Sequence, residues 1–119
     1  MPVKFSNDKP IFIQLAEILK SMIVSGKIKV NEKLPSVREL SLTYSINPNT
    51  VQKALQILED DGLIKTDRTN GKFVVESSNL IKNQKEQLIQ AEVNLFFEKM
   101  NSLGLSNDDI KKIINKVGK

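Results

Sequence analysis

Neither cysteine nor histidine occurs anywhere in the 119 residues. That excludes disulfides and every metal site built on thiolate or imidazole ligands, and it removes the commonest general base at neutral pH. Long apolar runs are missing too: none approaches the roughly 20 residues a helix needs to cross a bilayer. The opening "MPVKFSNDKPIF" has neither the continuous apolar core nor the cleavage site of a secretion signal. The expectation is a cytoplasmic chain with no cofactor, no metal and no membrane partner.

What is present is ordinary for a folded soluble protein, with 39% hydrophobic and 27% charged residues. The length suits one modest domain, or a small domain with an appendage. A formal net charge of +4 leans towards an acidic partner such as nucleic acid without requiring one. Glu59, Asp60 and Asp61 resemble a catalytic acid cluster only superficially. Three consecutive residues at a helix end point in different directions, so no enzyme is expected.

Apolar residues Phe12, Leu15, Leu19, Met22 and Ile23 recur at steps of three and four and predict a first helix over residues 11–25. The connector "KIKVNEKLP" offers Ile28, Val30 and Leu34 to the core. Ser36 stands three residues before Glu39, a capping-box spacing that opens a short second helix with Val37, Leu40 and Tyr44 inward. In "SINPNT", Asn47 reads as the cap and Pro48 as the first residue of a third helix, whose buried row is Val51, Ala54, Leu55 and Leu58. The short break between these two helices is helix-turn-helix spacing. Gly62 closes the third helix, and "LIKT" and "KFVV" flank "DRTNG" as a hairpin over residues 63–75 turning on Asn-Gly. The fold class read from this order is mainly α with a small β-hairpin: a winged helix-turn-helix over residues 1–76, then a short two-helix segment over residues 77–119.

A hinge at "ESSN" is expected to precede the tail. Beyond it Ile89, Val93, Phe96, Met100 and Leu103 alternate steps of four and three, and Leu88, Ala91 and Leu95 widen that stripe beyond what one packing seam requires. Ile110 and Ile114 line a final short helix. Two helices alone cannot enclose that much apolar surface, so they either fold back or pair with a second copy. Homodimerisation is the expectation, with Leu88, Ile89, Val93, Phe96, Met100, Ile110 and Ile114 at the interface.

Three patches could meet DNA. The third helix turns Asn49, Gln52 and Lys53 outward with Thr50 at the edge, and a major groove admits one such helix. Ser36, at a helix N-terminus, marks a place where a phosphate could rest, and Arg38 offers a planar donor fork. The hairpin tip holds Arg68, Asn70, Gly71 and Lys72, with two cations to attract phosphates. Each patch has a plainer alternative: polar residues that only meet water, an Arg38 paired with Glu39, a Ser36 that only caps. Double-stranded DNA is the expected partner because one winged helix would set all three on one side. A protein-interaction module built on the same fold is the competing reading.

The run "SGKIKVNEKLPSVRELSLTYSINPNTVQKALQILEDDGLIKTDRTNGKFV" resembles the GntR family of bacterial transcription regulators, and within it the small YtrA-like branch. "LPSVREL", "NTVQKAL", "DGLI" and "GKFV" carry the resemblance, and the tail looks like that branch's two-helix dimerisation segment. The resemblance implies a repressor binding an inverted-repeat operator as a homodimer. Arg38 and Thr50 would contact DNA, and Gly71 would be the wing-tip glycine entering the minor groove. Pro48 stands where many members have an arginine, so that base contact is absent. Larger members carry an effector-binding domain for which this tail is too short, and a small-molecule effector is left unknown.

Overall fold

The computed structural model describes residues 4–117. In chain order it holds helices α1 (Ile11–Val24), α2 (Val37–Tyr44) and α3 (Pro48–Asp60), strands β1 (Ile64–Asp67) and β2 (Gly71–Val74), then helices α4 (Ser78–Ser102) and α5 (Asn107–Val117). This is the mainly helical winged helix-turn-helix, followed by a helical segment, that the patterning predicts. Two compact units divide the chain, one ending at Lys85 and the other starting at Glu86.

In the first unit α1 and α3 supply most of the core. Leu15 and Leu19 from α1 and Val51, Leu55 and Leu58 from α3 are at most 1% exposed. Their steps of three and four put them on one stripe of each helix, which is why the two pack face to face. Leu40 of α2, Leu63 and Val74 complete the interior. No helix among the described residues is long and apolar enough to cross a membrane.

The caps form where the sequence places them. Asn47 accepts the N–H of Asn49, and Pro48 occupies the first turn of α3. Ser36 Oγ accepts the N–H of Glu39 at 3.1 Å while the Glu39 carboxylate accepts the N–H of Ser36 at 3.0 Å. The donor from the Ser36 backbone, then its hydroxyl, holds the Glu39 carboxyl below its ordinary range. An eight-residue helix leans heavily on such a cap. Ser36→Ala is expected to lower unfolding stability by about 1 kcal/mol in urea denaturation.

Three details differ from the sequence reading. Val30 is 45% exposed, whereas Ile28 and Leu34 are buried as expected. Past Val30 the connector turns at Asn31 and lies beside β2, bridged at Lys33 and Phe73: Asn31 N–H donates to Val74, Val74 N–H to Glu32, and Leu34 N–H to Lys72. The hairpin does not turn on Asn-Gly. Asp67 pairs with Gly71, so Arg68, Thr69 and Asn70 form a three-residue tip. The "ESSN" stretch is only half loop, because Ser78 and Asn79 already belong to α4. Leu80 and Ile81 pack against the core of the first unit, which gives those first turns a reason to be helical.

In the second unit a tight turn joins α4 to α5, with Gly104 at φ 94°. Ser106 and Asp109 form the expected reciprocal cap, both bonds 3.1 Å. Ile110 is 1% exposed, while no residue of α4 is fully buried. A side chain this covered in the single chain offers less area to a second copy than Ile114, which is 44% exposed. The strict three-and-four periodicity of α5 could not separate a residue covered inside the unit from its exposed neighbours Ile113 and Ile114.

Candidate nucleic-acid interface

Net charge is unevenly shared. The first unit has 13 Lys and Arg against 9 Asp and Glu, and the second has five of each, so the whole excess of +4 lies in the first. Within that unit the N-terminus of α2 and the tip of the hairpin line one cleft of about 460 Å³. Ser36, Arg68, Asn70, Gly71 and Lys72 are all on its wall, which brings five of the ten candidate DNA residues together. Lys33 joins them there.

Arg38 lies just inside the first turn of α2, exposed, and makes no ion pair among the described residues. The alternative in which Glu39 neutralises it does not occur, because the Glu39 carboxylate is spent on the Ser36 backbone. Arg68 is likewise exposed and unpaired among the described residues. A guanidinium on a helix end with no acid beside it is set up to take an outside anion.

Along α3 the buried row Val51, Ala54, Leu55 and Leu58 leaves Asn49, Gln52 and Lys53 exposed and Thr50 half-buried. These four do not line the cleft; they form a separate surface at the beginning of the helix. Lys53 lies 5.6 Å over the ring of Phe12, which steadies its stem while its ammonium stays in water. Asn47 spends its side-chain oxygen on the cap, and no side-chain hydrogen bond within the protein occupies Asn49 or Gln52 among the described residues.

Lys72 is differently placed from the simple phosphate contact its position suggests. Its Nζ donates to Thr66 Oγ1 at 2.7 Å and stands 3.7 Å from Glu59, to which the Thr66 hydroxyl also donates. The cluster ties the wing to the C-terminal end of α3. The other two acids of that run are engaged separately: Asp61 pairs with Lys20 at 2.7 Å and Asp60 accepts from Gln56 at 2.9 Å.

Gly71 is favoured by its backbone. Its φ of 103° disfavours any side chain, and an added Cβ would lie 3.1 Å from Lys33 Cε, near the end of a flexible side chain that can give way. Lys33 was not a candidate from sequence. Its only signal is its place one residue before the buried Leu34 in a segment that pairs with β2, and pairing across 40 residues is invisible in a local pattern.

Asp67 is a second residue of this site that no sequence pattern singles out. Its carboxylate accepts from the N–H groups of Thr69 at 2.9 Å and Asn70 at 3.2 Å, so it shapes the tip. The Thr69 donor first, then the Asn70 donors, hold its pKa below the ordinary value. A depressed carboxyl pKa gives order that is complete above the unfolded value and is lost as pH falls through the folded one. Amide resonances of Thr69 and Asn70 are therefore expected to hold through the normal aspartate range and move only at more acid pH in an NMR titration.

The sequence model described as "Bacterial regulatory proteins, gntR family" matches residues 13–74. The uncharacterized HTH-type transcriptional regulator YhcF of Bacillus subtilis is 31% identical over 110 residues, covering 92% of this chain and 91% of YhcF. The HTH-type transcriptional repressor YtrA of the same organism is 36% identical over 94 residues, covering 79% of this chain and 68% of YtrA. A solved GntR family transcriptional regulator from Listeria monocytogenes superposes with a TM-score of 0.87 at 31% identity, covering 94% of this chain and 98% of that one. The helix-turn-helix, the wing and these likenesses agree: the chain belongs to the gntR family of bacterial regulatory proteins, as a DNA-binding regulator and not an enzyme.

Proposed function

We propose that the protein is a sequence-specific repressor of the YtrA-like branch that binds an inverted-repeat operator as a homodimer. The observation that carries this reading is the exposed polar start of α3, where Asn49, Gln52 and Lys53 stand out from a fully buried row. Such a helix enters a major groove with amides reading base edges. Arg38 and Thr50 join it, and Ser36 with Lys33 and Arg68 takes phosphates, while Lys72 reaches them only by leaving Thr66 and Glu59. Asn70 and Gly71 approach the neighbouring groove from the wing.

Residues 1–76 then serve DNA binding and residues 77–119 serve dimerisation, through Leu88, Ile89, Val93, Phe96, Met100 and Ile114. The similarity to the repressor YtrA supports the branch and the sign of regulation. Two copies would set their third helices into successive major grooves about 34 Å apart, or a small multiple of that. Occupying a promoter would block transcription.

Selection from random duplexes tests the reading. The expected product is an enriched inverted repeat whose half-sites lie about one or more helical turns apart. No enriched sequence would favour a winged helix used for protein contacts.

A further inference from the structure

A second groove, of about 650 Å³, lies in the first unit between the end of α1, the connector after it and the first turns of α4. Ile28, Val30 and Ile81 give it an apolar lining, and Lys29, Lys82 and Lys85 stand around it. Among the described residues no carboxylate lines it, and none of the three ammonium groups has an ion pair or side-chain hydrogen bond. The Glu32 carboxylate accepts the Lys29 backbone N–H at 3.1 Å and pairs with none of the three ammonium groups, so the rim of the groove is positive and favours an anionic head. The volume falls within the roughly 300–1,000 Å³ range of small-molecule sites.

We infer that this groove binds a small anionic amphiphile, with its apolar body on Ile28, Val30 and Ile81 and its head among Lys29, Lys82 and Lys85. The position gives the ligand leverage. Val30 immediately precedes the residues 31–34 that hydrogen-bond to β2, and Ile81 belongs to the helix that leads out of the first unit. One occupant touches both, so its binding energy acts on the wing and on the first turns of α4 together. By reciprocity, a ligand coupled to DNA must be held with a different affinity when DNA is bound. The coupling rests on the DNA-binding reading above; the site itself does not.

Calorimetry of the full chain without DNA provides the test, using decanoate kept below its micellar range. Saturable binding of one decanoate per chain is expected, at least tenfold tighter than decanol, with none for decyltrimethylammonium. A Lys82→Gln/Lys85→Gln chain should bind at least tenfold more weakly. So should Val30→Asp, which alters an exposed side chain and should leave the circular dichroism unchanged. Absence of saturation, equal affinity for decanol, or unchanged affinity in both variants would overturn the site. Two results would reassign it: dissociation of a dimer by Val30→Asp in sedimentation, which makes the groove a second copy's seat, or binding to phosphatidylglycerol vesicles but not to decanoate. A decanoate affinity that bound operator leaves unchanged would overturn the coupling alone.

Discussion

The proposed homodimer is expected to be lost in a Phe96→Asp chain, which should sediment as a monomer at concentrations where the unaltered chain sediments as a dimer. Helix α4 runs for 25 residues without one fully buried side chain. Ile89 is 53% exposed, and Val93 and Phe96 are each 43% exposed, at helical steps of four and three. Leu95 and Leu103 are also exposed, so the apolar surface exceeds a scattering of single residues. A second copy is the simplest cover, because the same stripe on both chains is complementary to itself. A carboxylate at the centre of such a seam must give up its water. The cost should reach at least about 3 kcal/mol, a roughly hundredfold weaker dimer. Because Phe96 is well exposed within one chain, helix content should stay the same. An unaltered dimer would place the interface elsewhere.

The second large effect is expected at Arg38. Arg38→Ala should weaken operator binding by about 2 kcal/mol, roughly thirtyfold, while leaving the dimer and the melting temperature nearly unchanged. The side chain is exposed and has no acid partner among the described residues, so its removal breaks nothing inside the protein. Its value lies with an outside group, and the loss should appear wholly in a gel-shift titration. Arg68→Ala should behave differently if Arg68 serves phosphates alone. It would lower affinity for every duplex and reduce the salt slope by about one. Unchanged affinity for Arg38→Ala would remove Arg38 from the contact surface.

Much of the fold was legible because its determinants are local. Ser36 with Glu39, Asn47 with Pro48, and Ser106 with Asp109 are caps set by residues within three positions of each other. The buried rows of α1 and α3 follow from a 3.6-residue period alone. The tip departs from the Asn-Gly expectation for a local reason too. Asn-Gly is a strong turn signal, but Asp67 claims the N–H groups of Thr69 and Asn70 and sets a longer tip ahead of Gly71.

Contacts between distant segments were not legible. Nothing near Lys33 in the chain announces that it lies over Gly71, nor does anything near Lys72 announce Glu59 and Thr66. A helix period likewise could not say that Ile110 is covered while Ile113 and Ile114 are left exposed. By itself, then, the amino-acid order determined where α2, α3 and α5 are capped, which faces of α1 and α3 turn inward, and that no thiol or imidazole is available. Only the tertiary structure decided which cations are already engaged, which stay unpaired, and that Ser36 and the wing tip share one cleft. The reason is physical: capping and periodicity act within a few residues, whereas ion pairing and burial depend on segments that meet only after the chain has folded.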